Sequence, residues 1–219
     1  RHRLGQRACD AGHVELLLPG GGPVRRPYLA VMYTAVCDMG FLLRVFTSAR
    51  LMTPEIMQLC RERPTQGVEV TLYWASEETY RRIGGWDKGY THAIAAVEEM
   101  STFLPSLKLK TTIVRDNADD FQALLTFAER LGLRLEPTTQ PFPAVRGACS
   151  TALEDRLTVD ELIPFFEKNG ILLGAENDGD GQPDPENRAS LFCDAGLNTY
   201  TSQGDGNMVA CNVDDDPSR

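Results

Sequence analysis

A run of three glycines and a proline gives the first candidate for chemistry. Gly20, Gly21, Gly22 and Pro23 directly follow the apolar segment 14–18, which is typical of a buried strand. Glycines let a backbone approach a ligand closely and leave N–H groups available, so a polar or anionic group could bind at this loop. A plain tight turn is the more common meaning of such a run.

Cationic side chains at a strand end form the second candidate. Lys110 and Arg115 lie in and just after the apolar stretch 107–114. A buried cation at the end of a strand costs free energy unless an anion pairs with it, so both residues predict an anion partner. For Lys110, an outward-facing ammonium with its stem along the sheet is an equally good interpretation.

Two cysteines near the end of the chain form the third candidate for chemistry. Cys193 and Cys211 flank two strand-like halves that are joined by the turn-forming run 204–207. A hairpin there would bring the thiols towards one another, as a metal site requires. Free buried thiols or one disulfide are the alternatives.

The acidic, glycine-containing stretch 177–187 could bind calcium. It lacks the full EF-hand pattern, and a solvated loop is the favoured interpretation.

Strand and helix patterns alternate through the first two thirds of the chain and must position these residues. The pattern predicts strands at 14–18, 41–46, 68–73, 107–114 and 133–135, with helices between them. Helix starts are predicted at Thr53-Pro54, at Asn117 and at the capping box Thr158–Glu161, and a helix end at Gly40. Such alternation predicts an α/β fold with parallel strands and right-handed crossovers, in a barrel or an open sheet. In both, ligands bind at the carboxyl ends of the strands, here near 19–23, 47–50, 74–76 and 115–117.

Composition excludes several classes of protein. The 219 residues are 42% hydrophobic and carry a net charge of -9, which disfavours nucleic acid as a partner. No apolar run suggests a membrane span, and the first residues show neither an initiating Met nor a signal peptide. We therefore expect a cytoplasmic segment of a longer protein, without a membrane partner. Six cysteines without a CxxC pair predict reduced thiols.

Five stretches, in order along the chain, resemble the radical S-adenosylmethionine (SAM) enzymes. Gly20–Pro23 is similar to that family's Gly-Gly-Glu-Pro motif, and Thr47 begins a segment similar to its TNGTLLT strand end. Residues 68–85, with Thr71 at the serine position, are similar to the VEISLYGASPETYERITG segment of SPASM-type members. Residues 108–117 resemble the LKTTVMRQN strand, and Cys193 with Cys211 resembles the opening of the SPASM pattern.

The resemblance implies a fold and a set of cofactors. We expect a partial radical SAM (β/α)6 TIM-like barrel at 1–150, a linker helix and acidic loop at 151–187, and the start of a SPASM cysteine-rich domain at 188–219. SAM and a 4Fe-4S cluster are the implied cofactors, with a possible auxiliary 4Fe-4S cluster at Cys193 and Cys211. The implied SAM-binding residues are Gly20, Gly21, Gly22, Pro23, Thr47, Thr71, Lys110 and Arg115. A peptide or protein substrate, modified by hydrogen abstraction, and a reductant such as a flavodoxin or ferredoxin are the implied partners.

Two departures from the family pattern bear on activity. The chain has no CxxxCxxC triplet to hold the catalytic cluster, so we expect these 219 residues to be inactive alone. Gly22 replaces the motif's glutamate, which removes a carboxylate partner for the SAM ammonium. The alternatives are a non-catalytic relative that acts as a peptide-binding module, in which Gly22, Ala49 and Trp74 record a lost SAM site, and a calcium-binding module.

Overall fold

The chain folds as two units, Arg1–Pro141 and Phe142–Arg219. The computed structural model describes residues 2–18, 29–49, 52–63, 65–73, 75–84, 88–142, 153–171, 195–196, 199–202 and 207–211.

Strands and helices alternate along the first unit as the sequence pattern predicts. Its strands are β1 Glu15–Leu18, β2 Leu42–Thr47, β3 Gly67–Thr71, β4 Leu107–Thr112 and β5 Leu135–Thr138. Its helices are α1 His2–Asp10, α2 Leu29–Asp38, α3 Pro54–Glu62, α4 Glu77–Gly84, α5 Gly89–Ser101 and α6 Phe121–Arg130, with a 3₁₀ helix at Arg115–Asp120.

The five strands pair in the order β1-β2-β3-β4-β5, and every pair is parallel. Because parallel crossovers are right-handed, strands added in one direction place their connecting helices on one face of the sheet. A doubly wound sheet would reverse its strand order at a switch point, and this order never reverses. The predicted α/β fold is therefore confirmed, and the strand order is that of a barrel wall.

The two faces of the sheet differ sharply in chemistry. On the helix side, alternate residues of the central strands are buried and apolar: Leu43, Val45, Val68, Val70, Leu107 and Leu109. The opposite face, here called the polar face, carries Arg44, Phe46, Glu69, Thr71, Lys108, Lys110 and Glu136 at the intervening positions. Successive side chains of a strand point to opposite faces, so residues two positions apart lie on the same face.

The predicted caps set the ends of several helices. The Thr53 hydroxyl accepts a hydrogen bond from Ile56 N at 3.4 Å, directly before the proline that opens α3. Gly40, with φ of 83°, lies just beyond α2, in the left-handed region that glycine adopts without strain.

Three local predictions differ from the structure. Asn117, predicted to cap a helix, instead lies inside the 3₁₀ helix, and α6 begins only at Phe121. The last strand of the sheet was predicted at 133–135 and runs over Leu135–Thr138. α1 was not predicted, because its residues lack an apolar stripe long enough to indicate a helix.

The second unit contains a helix and a small hairpin. α7, Val159–Asn169, begins at the predicted capping box, in which Thr158 N donates to Glu161 Oε2 at 2.8 Å. β6 Thr201–Ser202 pairs antiparallel with β7 Met208–Val209, which confirms the predicted hairpin. Across the described part of both units, no helix combines the length and apolar character that crossing a membrane requires.

A tyrosine and a cysteine are buried together between α2 and α3. The Tyr33 hydroxyl donates to the Arg63 carbonyl at 2.6 Å, and Cys60 is buried. Burial raises the pKa of the Tyr33 phenol well above its usual range, and burial likewise raises the pKa of the Cys60 thiol. Both groups therefore hold their protons more tightly in the folded chain than in the unfolded chain.

We expect the folded state to lose stability in alkali for this reason. A group whose folded pKa is raised contributes its full stability below the unfolded pKa, and that contribution falls as pH rises above it, here above about 8.5 for a thiol and about 10 for a phenol. Urea unfolding at several pH values should show this decline. The double variant Tyr33→Phe, Cys60→Ala should flatten it, and an unchanged slope would contradict the assignment.

Candidate functional site

A buried asparagine joins the carboxyl ends of the two central strands. The Asn117 amide nitrogen donates to the carbonyls of Tyr73, which follows β3, and Thr112, the last residue of β4, each at 2.8 Å. Its amide oxygen accepts from Val114 N at 2.8 Å. Asn117 is 1% exposed, so these bonds replace water completely. The asparagine thus fixes the β3 and β4 strand ends relative to one another.

A carboxylate makes a second link between the same two loops. Asp120 Oδ2 accepts from Ala75 N at 3.2 Å, which attaches the loop after β3 to the end of the 3₁₀ helix after β4. Asn117 and Asp120 together define one rim, here called the β3–β4 rim and made of residues 72, 73, 75, 76 and 112–120. In parallel α/β proteins, loops at this end of the sheet form the ligand-binding side.

Two of the predicted site residues are direct neighbours below this rim. Thr71 and Lys110 are register partners on β3 and β4, and both lie on the polar face. Leu72 N donates to the Lys110 carbonyl at 2.9 Å, which locks this register. The structure therefore brings together a hydroxyl and a cation from segments 39 positions apart in the sequence.

The Lys110 ammonium already has anionic partners. Its Nζ lies 2.5 Å from Glu69 Oε2 and 3.9 Å from Glu136 Oε2. It also lies 5.2 Å from the centre of the Phe46 ring, within the range of a cation–π contact. Glu69 has only 9% of its side chain exposed, against 37% for Lys110. The contact with Glu69 is an ion pair without hydrogen-bond alignment.

Thr47 is placed differently from Thr71. Its side chain is buried on the helix side of the sheet, and its hydroxyl accepts a hydrogen bond from Ala49 N at 3.1 Å. Ala49 is buried with φ of 55°, a left-handed conformation that costs an L-residue free energy. The structure thus gives Thr47 a role in the turn after β2 and does not bring it next to Thr71. Contact between Thr47 and SAM stays a prediction.

The remaining predicted site residues fall into two groups. Arg115 is exposed at the first position of the 3₁₀ helix, on the β3–β4 rim. Cys211 lies just after β7 and is half-buried. Outside the described residues lie Gly20, Gly21, Gly22, Pro23, Cys193, Trp74 and the acidic stretch 177–187.

The described cysteines do not fit a catalytic iron-sulfur cluster. Cys9, Cys37 and Cys60 lie on three different helices as free thiols, and Cys211 lies in the second unit. Within the described ranges, no three His, Cys, Asp or Glu side chains gather as metal ligands. A 4Fe-4S cluster that activates SAM needs three thiolates, which the sequence also lacks as a CxxxCxxC triplet. No step of a radical reaction is therefore assigned to these residues.

Sequence reasoning missed three residues that build this site. Glu69 and Asn117 stand inside segments that resemble family motifs, and Glu69 precedes Thr71 by two residues, which places both on one face. That spacing was a usable signal for Glu69. Glu136 gave no such signal, because only the β4–β5 register places it opposite Lys110.

Comparison with known proteins gives relatives by sequence. No protein-family model matches the chain. The PqqA peptide cyclase of Ruegeria pomeroyi is 26% identical over 132 residues, which cover 60% of this chain and 35% of that protein. The AdoMet-dependent heme synthase of Methanosarcina barkeri is 26% identical over 124 residues, which cover 57% of this chain and 36% of that protein. The chain thus spans little more than a third of the length of these curated relatives.

Comparison with solved structures supports the same relationship through the fold. Streptococcus suis SuiB, in its crystal structure bound to precursor peptide SuiA, matches with a TM-score of 0.61 and 13% identity over 77% of this chain and 37% of that chain. A SuiB structure bound to S-adenosylmethionine matches with a TM-score of 0.54 and 13% identity over 62% of this chain and 32% of that chain. The predicted resemblance is confirmed: the chain is similar in sequence to the PqqA peptide cyclase and the AdoMet-dependent heme synthase, and it shares the fold of SuiB.

Proposed function

We propose that this chain forms the SAM-binding wall of a radical SAM protein that modifies a peptide. The observation that carries the proposal is the pairing of Thr71 with Lys110 directly below the β3–β4 rim. Support for the ligand comes from SuiB, which shares the fold and has been crystallised with S-adenosylmethionine. Support for a peptide substrate comes from the PqqA peptide cyclase and from SuiB bound to its precursor peptide.

The chemistry of the polar face suits the amino-acid end of SAM. Lys110 offers an ammonium to the SAM carboxylate, and Thr71 offers a hydroxyl that can both donate and accept. In this proposal Arg115 supplies a further cation at the rim, and the loop Gly20–Pro23 supplies backbone N–H groups. A reduced cluster, for which the described residues offer no site, would supply the electron for hydrogen-abstraction chemistry with SAM. The part assigned to this chain is to bind and orient SAM and the peptide.

The second unit enters the proposal through its hairpin. Cys211 lies directly after β7, and the resemblance pairs it with Cys193 in an auxiliary cluster. Two thiolates alone do not complete a four-iron site, so the proposal here is limited to a pair of ligands contributed by this chain.

Calorimetric titration of SAM into the chain tests the proposal. We expect measurable binding, and we expect Lys110→Met and Thr71→Val each to weaken it by about tenfold, the effect of losing roughly 1.4 kcal/mol of interaction. Lys108→Met is the matched control, since Lys108 lies on the same strand and face but pairs with Glu136 at 3.5 Å. No binding by the unaltered chain, or equal losses at Lys108 and Lys110, would contradict the proposal.

A non-catalytic peptide-binding module is the second candidate. The described cysteines do not gather into a cluster site, and Gly22 replaces the glutamate of the family motif. In that case the barrel wall would bind a peptide without SAM. Titration separates the two candidates. The peptide-binding module is favoured if the chain does not bind SAM and if its affinity for a peptide is the same whether or not SAM is added.

A further inference from the structure

The Lys110 ammonium does not point to the rim at which a ligand would bind. Lys110 is the register partner of Thr71, yet its Nζ contacts Glu69, which lies two residues earlier on β3. Two residues of a parallel strand span about 6.6 Å, so the side chain reaches back towards the amino ends of the strands. Phe46, whose ring lies under the ammonium, is the register partner of Glu69 and lies at the same level.

Glu69 is the principal counterion of Lys110. Its Oε2 lies at 2.5 Å from Nζ, against 3.9 Å for Glu136. Glu136 also contacts Lys108 at 3.5 Å and Arg134 at 3.9 Å, so its charge is shared among three cations. The single ion pair recorded for Glu69, among the described residues, is the one with Lys110. Glu69 is also more deeply buried than Glu136, so water screens its attraction for the Lys110 ammonium less.

This arrangement makes Glu69 a competitor of any anionic ligand. We propose that Glu69 is a positioning residue that holds Lys110 in a retracted position and thereby sets the affinity of the β3–β4 rim for a carboxylate-bearing ligand. A ligand carboxylate must break the Glu69 contact, and it then leaves that buried carboxylate without its cation. The inference rests on the proposed SAM-binding function and adds a residue that lowers affinity.

Neutralising Glu69 should therefore tighten binding. In Glu69→Gln, which keeps the shape of the side chain and removes its charge, we expect the Kd for SAM to fall by about three- to tenfold, since each tenfold step corresponds to roughly 1.4 kcal/mol. In a Lys110→Met background the same change should leave the Kd unaltered, because the competition acts through the lysine. A purely structural role of Glu69 would weaken binding in both backgrounds.

A second measurement follows Lys110 without any ligand. A lysine held against a buried carboxylate is less accessible to an N-hydroxysuccinimide ester, which acylates lysine side chains, than a lysine released from that contact. Acylation of Lys110 in the folded chain at one fixed pH, located by digestion and mass spectrometry of the peptides, should be several-fold faster in Glu69→Gln. Lys88, exposed at the start of α5, is the internal reference and should react at the same rate in both proteins.

The two measurements distinguish the possible failures. Weaker or unchanged SAM binding in Glu69→Gln overturns the proposal. If no variant binds SAM, the proposed function fails, and the acylation rates alone then test whether Glu69 holds Lys110 in place. An unchanged rate at Lys110 in Glu69→Gln overturns that role of Glu69, and a faster rate supports it. Glu69→Asp, which withdraws the carboxylate by one methylene, should give intermediate values and remains informative if Glu69→Gln does not fold.

Discussion

Replacing Asn117 with alanine should lower the free energy of unfolding by about 3 kcal/mol, because three backbone groups lose their hydrogen bonds to this buried side chain at once. The carbonyls of Tyr73 and Thr112 and the N–H of Val114 have their bonds to this one side chain at 2.8 Å. Asn117 is buried, so water does not replace the lost bonds without opening the rim. Urea unfolding followed by circular dichroism gives the change directly.

The matched control for this change is another amide. Gln58 donates to Glu62 at 2.8 Å on the exposed side of α3, so Gln58→Ala removes an amide hydrogen bond that water can replace. We expect a loss below about 0.5 kcal/mol there. Similar losses at Asn117 and Gln58 would show that the buried bridge does not hold the strand ends together.

Asn117→Asp tests the polarity of the bridge as well as its presence. The oxygen that accepts from Val114 N is retained, but the two carbonyls of Tyr73 and Thr112 then face a carboxylate oxygen instead of an NH₂ group. We expect this near-isosteric variant to be at least as unstable as the alanine variant at neutral pH. Full stability in Asn117→Asp would contradict the assigned orientation of the amide.

The second large effect is expected at Lys110. Lys110→Met should lower the free energy of unfolding by about 2 kcal/mol, because it leaves the Glu69 carboxylate buried without its cation. Removing one partner of a fully buried pair costs about 3–5 kcal/mol, and the value here is smaller because 37% of the lysine side chain is exposed. Unfolding in urea at neutral pH measures the difference.

A compensating variant shows whether the lone charge is the cause. Glu69→Leu combined with Lys110→Met should recover most of the lost stability, since a buried ion pair can be replaced by apolar side chains of similar volume at little cost. Lys108→Met should change stability little, because Lys108 is half exposed. If the double variant is as unstable as Lys110→Met alone, packing of the lysine stem, and not its charge, stabilises the sheet.

These two residues connect stability with the proposed activity. Asn117 fixes the β3 and β4 strand ends, and Lys110 exchanges between a carboxylate of the sheet and a ligand in our proposal. An ion pair that stabilises the ligand-free fold opposes ligand binding by the same interaction. Variants that remove Glu69 should therefore be compared for binding and for stability together.

Local sequence patterns determined the elements of this protein and their class. The apolar runs around β1 to β4, the Thr53-Pro54 start of α3 and the capping box at Thr158 act over a few residues, so they can be read from the chain directly. The alternation of these elements predicted parallel pairing, and the motif-like segments in their family order predicted the radical SAM relationship.

Tertiary structure decided which side chains meet. Glu69 and Lys110 are 41 positions apart, and Tyr73 and Asn117 are 44 apart, so only the β3–β4 register and the path of the 3₁₀ helix bring them together. A shift of one residue in that register would turn every side chain of a strand to the other face, and no local pattern reports the register of two distant strands. The sequence therefore determined that a threonine lies at the end of one strand and a lysine near the end of the next. The packed sheet decided that the lysine contacts a glutamate and that the asparagine, predicted as a helix cap, links two strand ends.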